Sequence, residues 1–237
     1  MKNNFLYFIL IIFFGITPLN FIHADEQFTF NITEIEISND GNLIIGSKGG
    51  TAKTNDGYEI IAENFIYNKS KNILNVSGNV KFFDKKNIFT ITSDKGTYQK
   101  IDDIILTEGN SKAESENNII TASNFKFDRT KNILTAKEDV KFFDREKNTT
   151  IKSEHVKYIK NKEIIYTLGV SSANVEKKYD FLSKNVRYDK NKQELSSKEK
   201  STITDDDENQ YIVKGFLYQI KNKLLKAKNI NLITKID

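Results

Sequence analysis

Apolar and polar residues alternate along most of the chain with a period of two. The clearest stretch is Leu74-x-Val76-x-Gly78-x-Val80-x-Phe82. It is followed by Ile105-x-Thr107-x-Gly109-x-Ser111-x-Ala113, Leu134-x-Ala136-x-x-x-Val140-x-Phe142 and Ile165-x-Thr167-x-Gly169-x-Ser171-x-Ala173. A period of two puts successive side chains on opposite faces of a strand, so each stretch predicts a β-strand with one apolar or small face. The central glycine predicts a bend or bulge. No segment after residue 30 sustains a 3.6-residue period over three turns, and the expected class is all-β.

The pattern also recurs. Asn72-Ile73-Leu74 returns as Asn132-Ile133-Leu134, and Val80-Lys81-Phe82-Phe83-Asp84 returns as Val140-Lys141-Phe142-Phe143-Asp144. Within that repeat an aromatic closes a shorter phrase at Tyr67, Tyr98, Phe127, Tyr158, Tyr188 and Tyr218. Five residues earlier stand Ala62, Ser93, Ala122, Ser153, Ser183 and Val213, and two earlier stand Phe65, Gly96, Phe125, Val156, Val186 and Phe216. The step of three between these two sets breaks strict alternation and predicts a bulge. With a weaker first unit from near Phe28, the chain reads as about seven units of roughly 30 residues, stacked into an elongated architecture. Polar connectors such as Asn68-Lys69-Ser70-Lys71-Asn72, Arg129-Thr130-Lys131-Asn132 and Lys190-Asn191-Lys192 predict hairpin turns.

Neighbouring units alternate in bulk. Val76, Val80 and Phe82 give way to Thr107, Ser111 and Ala113, then to Ala136, Val140 and Phe142, then to Thr167, Ser171 and Ala173. Large groups facing small ones suit a closed, interdigitated core. A small wall equally leaves room for a guest in an open groove, and the pattern alone does not separate the two.

Composition narrows the setting. Lys2, the apolar run Phe5 to Phe14, the breaks at Gly15 and Pro18, and Ile22-His23-Ala24 have the parts of a secretory signal peptide. The expected organisation is a signal-peptide helix over 1–24 and one β-domain over 25–237. A retained N-terminal anchor is the alternative, though the run is short for a membrane span. The chain has no cysteine, so its exported form has no disulfide. Lys and Arg number 36 against 32 Asp and Glu, for a net charge of +4, which is no nucleic-acid footprint. The lysines read as solvated outward positions that discourage strand aggregation.

Catalytic chemistry is not legible. His155 sits in a strand phrase where other units carry Asn64, Lys95, Asn124 or Asn185, and is expected to face outward. Gly46-Ser47-Lys48-Gly49-Gly50 lacks the spacing of a phosphate-binding loop and reads as a turn or bulge. Asp205-Asp206-Asp207-Glu208 lacks the spaced oxygens of a calcium loop and reads as a solvated turn. No enzyme, cofactor or metal is expected.

The phrase Ile61-Ala62-Glu63-Asn64-Phe65-Ile66-Tyr67, a turn, then Asn72-Ile73-Leu74-Asn75-Val76-Ser77-Gly78-Asn79-Val80 resembles the OstA-like family of lipopolysaccharide-transport proteins. The resemblance extends, more weakly, from Phe28 to Ile233. It implies a taco-like β-jellyroll whose concave interior shelters the acyl chains of lipid A, and a periplasmic protein that bridges toward the outer membrane, with association with that membrane as a further option. Partners implied are lipopolysaccharide and other OstA-like domains, joined end to end by strand pairing, with self-assembly as a further option. The chain reads either as an LptA-like protein or as a truncated N-terminal domain of the lipopolysaccharide-assembly protein LptD. A structural β-solenoid without lipid is the competing expectation. On the transport reading, the lipid-binding lining is Phe65, Tyr67, Leu74, Val76, Val80, Phe82, Phe125, Phe127, Leu134, Val140, Phe142, Val156, Tyr158, Val186, Tyr188 and Leu195.

Overall fold

The computed structural model describes residues 28–38, 40–85 and 89–233. The expected signal peptide lies outside the described residues. The described chain forms one sheet of 17 strands. They are β1 (Thr29–Ile37), β2 (Leu43–Lys53), β3 (Tyr58–Ala62), β4 (Asn64–Asn68), β5 (Ile73–Asp84), β6 (Phe89–Gln99), β7 (Ile104–Glu114), β8 (Asn118–Asp128) and β9 (Ile133–Asp144). There follow β10 (Thr149–Ile159), β11 (Ile164–Val175), β12 (Tyr179–Lys184), β13 (Arg187–Asp189), β14 (Glu194–Thr204), β15 (Gln210–Gln219), β16 (Leu224–Ala227) and β17 (Asn231–Ile233). The fold is all-β, an elongated β-jellyroll, and among the described residues its one helical element is the 3-10 turn Lys160–Lys162.

Every pairing is antiparallel, and chain order is sheet order. β5 pairs with β6, β6 with β7, β7 with β8, β8 with β9, β9 with β10, and β10 with β11. β3 and β4 together make one interrupted rung between β2 and β5, and β12 and β13 make another between β11 and β14. Repeated phrases occupy repeated places: Leu74 opposes Tyr98, and Leu134 opposes Tyr158.

The expected bulges are present. Register shifts fall between Ser77 and Val80, Thr92 and Lys95, Glu108 and Ser111, and Thr121 and Asn124. At these points Gly78 (φ 80°) and Gly109 (φ 78°) enter the left-handed region. There a Cβ is costly, which is why glycine stands mid-strand. β9 makes the same bend without glycine, through Glu138 (φ 66°) and Asp139 (φ 52°).

The bulges fold the sheet onto itself. A straight 11-residue strand would hold its two ends roughly 36 Å apart. Yet residues of the turns at one set of strand ends touch residues of the turns at the other, as described below. The inward side chains of both strand halves therefore meet in one core. That core includes Phe65, Phe82, Phe127, Phe142, Tyr98 and Tyr188, each less than 2% exposed.

Candidate functional site

All sixteen residues of the expected lining point inward. None is more than 4% exposed; Phe65, Leu74, Phe142, Tyr188 and Leu195 are at 0%. The interior is packed by the protein's own side chains, so the form described is closed rather than the open taco that the family resemblance implies. Bulk alternation supplies the physical reason. A Cβ at Gly96 would sit 2.6 Å from ring atoms of Phe82, so the large residue of β5 fills the space its small neighbour on β6 leaves.

The small wall also has polar work at the crease. Bulging a strand frees backbone groups that must find other partners. Thr107 Oγ1 accepts from the Phe125 amide at 3.1 Å and lies 2.7 Å from Ser111 Oγ, across the Gly109 bulge. Thr167 and Ser171 repeat this around Gly169: Val186 N donates to Thr167 Oγ1 at 2.8 Å, and Ser171 Oγ donates to it at 2.6 Å. These hydroxyls were legible only as small residues; their role depends on where the bulge falls.

Opposite the crease, the two rims meet along a seam. One rim is built from turns that share a geometry. Asn72, Asp103, Asn132, Glu163, Gln193 and Lys223 all have φ between 50° and 54°. The first residue of each turn bonds back to the turn before: Lys100 N to Asn72 O, Arg129 N to Asp103 O, Lys160 N to Asn132 O, and Lys190 N to Glu163 O. In three phrases the closing aromatic bonds to its own turn, while Tyr188 Oη donates to Asp144 at 2.9 Å. Tyr67 Oη donates to Asn72, Tyr98 Oη to Asp103 at 2.7 Å, and Tyr158 Oη to Glu163 at 2.6 Å. At Tyr218 the corresponding position is Lys223, which offers no side-chain acceptor, and the buried hydroxyl has no partner. Its pKa is pushed up to about 12, first by burial.

Two residues beyond five of the six aromatics stands a cation, Lys69, Lys100, Arg129, Lys160 and Lys190, and beyond Tyr218 stands Ile220. Four of these cations reach across the seam. Arg129 Nη2 donates to Asp56 at 2.7 Å, its guanidinium lies 3.3 Å from the Tyr58 ring centre, and Nη1 binds Asp103 and the Tyr98 hydroxyl. Lys100 reaches the same Asp56 at 3.3 Å. Lys160 sits 3.7 Å from the Phe89 ring centre and 5.3 Å from that of Phe127. Lys190 contacts Asn118 at 2.6 Å, Glu163 at 3.0 Å and Asp144 at 3.7 Å.

These contacts shift the ionisations of the seam. Burial alone would raise the Asp56 carboxyl, but its hydrogen bonds with Thr54 and Arg129 and the nearby positive charges hold it well below the ordinary carboxylate range. Burial pushes Lys160 down, an effect that Asp84 and Glu163 only partly oppose. The cation row was missed at the level of sequence, where these residues read as turn composition. Their fixed offset from the aromatics was the available signal.

No family model matches the chain, and no curated protein matches it. Among solved structures the chain is similar to LptH, the LptA homologous periplasmic component of the lipopolysaccharide transport device of Pseudomonas aeruginosa. The two are 7% identical with a TM-score of 0.29, and the match covers 65% of this chain and 99% of that one. A likeness at this level assigns no residue here a role.

The remaining candidates fall as follows. His155 is exposed on the outer face opposite Leu168. Gly46 and Gly50 lie inside β2, where a Cβ would collide with Ile32 of β1, so these glycines serve strand packing. Asp205, Asp206 and Asp207 bring carboxylate oxygens within 4.8 Å of one another. Asp205 is engaged by the Asp207 and Asn209 amides and the Tyr211 hydroxyl, which close the turn between β14 and β15. Among the described residues, β1 pairs only with β2, and β16 and β17 pair only with β15, so both ends of the sheet carry an unpaired edge.

Proposed function

We propose that this chain is a periplasmic lipopolysaccharide-binding bridge protein that admits acyl chains to its apolar interior by parting the seam between its rims. The observation that carries the reading is the combination of a continuous apolar interior with a closure that is polar along one side. Arg129, Lys100 and Lys190 close that side through ion pairs and hydrogen bonds with Asp56, Asp103, Asp144 and Asn118. Such contacts can be exchanged for water as the seam parts, whereas the strand ladders elsewhere cannot be broken without unfolding.

Magnitudes select the ligand class. Exposing a fully buried large apolar side chain costs about 1.5–3 kcal/mol, and each lipid methylene taken out of water returns about 0.8 kcal/mol. Opening most of the lining therefore requires several tens of methylenes. A lipid with several acyl chains supplies that number, and a single fatty acid does not. The unpaired edges of β1 and of β16 and β17 support end-to-end pairing with other domains of the same kind, because an exposed ladder accepts a partner strand. Edges of this sort otherwise invite aggregation.

A photo-crosslinking side chain tests the reading. At Phe142, inside the core, it is expected to capture lipopolysaccharide, and at the exposed Lys81 on the outer face of β5 it is not. Equal capture at both positions removes the proposal. One observation favours a second reading, a structural β-module with a dry core: every lining residue is already packed. On that reading the protein purified under mild conditions carries no lipid by mass spectrometry, and Phe142 captures none.

A further inference from the structure

The outer face of β11 departs from its own repeat. Tyr166, Leu168 and Val170 are exposed there, with Leu182 beside them on β12; Leu168 is 65% exposed, Val170 60% and Leu182 54%. The equivalent residues one repeat earlier are Leu106, Glu108, Asn110 and Thr121. At the first three, on the same strand face of β7, two of the outward positions are polar where β11 is apolar. Solvent-facing strand positions need no apolar side chain for folding, so this cluster is unexplained by the core.

Cations surround it. Lys157 opposes Tyr166, Lys184 opposes Val170, and Arg187 opposes Tyr166 with its guanidinium 5.9 Å from the ring centre. Lys152 and Lys141 pair with one another one rung over, and both line a shallow depression with Val170 and Leu182. Arg187 is tied to Asp189. Lys141, Lys152, Lys157 and Lys184 are exposed and make no ion pair among the described residues. Against these four lysines stand Glu138, Asp139 and Glu154, of which Asp139 and Glu154 line the same depression, so the border carries a small basic excess.

We infer that this outer face docks onto an anionic lipid surface, with Leu168, Val170 and Leu182 entering the headgroup boundary and the surrounding lysines meeting lipid phosphates. An apolar centre with a basic border is the chemistry of interfacial membrane binding. The excess of unpaired lysine favours a lipid surface over a second copy of this chain as the occupant, because a second copy would bring the same excess. This inference is independent of lipid uptake by the interior, which lies on the other side of the sheet.

The test uses the full chain and vesicles of phosphatidylglycerol with phosphatidylcholine, against phosphatidylcholine alone. The chain has no tryptophan, so Leu182→Trp adds a single indole reporter of burial. Expected are a blue shift and cosedimentation with anionic vesicles only, weakening with salt. The variant Leu168→Glu with Val170→Asn restores the residues found at Glu108 and Asn110. It should weaken binding by about tenfold or more, with thermal unfolding unchanged. Should that variant fold poorly, Lys152→Gln and Lys157→Gln decide instead, each lowering binding by about fivefold. Vesicle binding that ignores lipid charge, or that survives these substitutions, overturns the inference. So does a wild-type dimer in sedimentation velocity that Leu168→Glu dissolves, or a partner protein that shields the indole of the Leu182→Trp variant where vesicles do not.

Discussion

Arg129 and Asp56 lie 73 residues apart in the chain and 2.7 Å apart in space, one on each rim of the folded sheet. The Arg129 side chain is only 9% exposed, and it joins Asp56, Asp103, Tyr58 and Tyr98 into one cluster. Removing it leaves Asp103 and the Tyr98 hydroxyl without their cation and Asp56 with Lys100 alone. Arg129→Ala should lower unfolding free energy by about 3 kcal/mol, the scale for breaking a largely buried pair. Arg129→Lys should recover only part, because an ammonium lacks the planar fork that serves several acceptors at once. Urea denaturation of the three proteins checks both statements.

Asp56 makes the seam sensitive to acid. Its folded carboxyl titrates below the ordinary aspartate value of 3.8, so its contribution is fully present above that value and is lost as pH falls through the lower folded one. Asp56 is 43% exposed, so solvent screening limits the effect to about 1 kcal/mol at neutral pH. The stability difference between the wild type and Asp56→Asn should be measurable at neutral pH and vanish in strong acid. A difference that persists unchanged into strong acid would show that the ion pair is not its source.

Lys160 has the same sign in an alkaline window. Burial lowers its folded pKa below the ordinary lysine value of 10.5, so between the folded value and 10.5 the unfolded chain binds more protons. Stability from this residue therefore rises with pH across that window. Lys160→Met removes the rise, which denaturation followed from neutral to alkaline pH would register as a flatter profile than wild type. An unchanged slope in the variant would place the alkaline dependence elsewhere.

How far this arrangement could be read from the chain differs by level. The strands, the bulges and the inward set were legible because each follows from local alternation: Leu74, Val76, Val80 and Phe82 are all core, and the break between Val76 and Val80 is a bulge. Whether the interior is open or filled was not legible. Alternation fixes which side a residue faces, and what fills that side depends on packing between rungs, as between Phe82 and Gly96. The seam was missed for a related reason. Lys100, Arg129, Lys160 and Lys190 sit in polar turns, and only folding at the bulges brings them over Asp56, Phe89 and Asp144.

The Phe82 and Gly96 pair is itself a test of closed packing. Gly96→Val should cost about 1–3 kcal/mol by overpacking, and Phe82→Ala about 3–5 kcal/mol by leaving a cavity. Because the two touch, Phe82→Leu should partly rescue Gly96→Val, giving a nonzero coupling in a double-mutant cycle. Strict additivity would mean that Phe82 does not occupy the space above Gly96.

The seam can be locked directly, since the chain has no cysteine of its own. Asp56→Cys with Arg129→Cys, bridged by a reducible bifunctional thiol reagent, ties the rims together. The bridged protein should take up no lipopolysaccharide, and reduction of the same sample should restore binding. Equal binding before and after reduction would contradict entry of acyl chains through a parting seam.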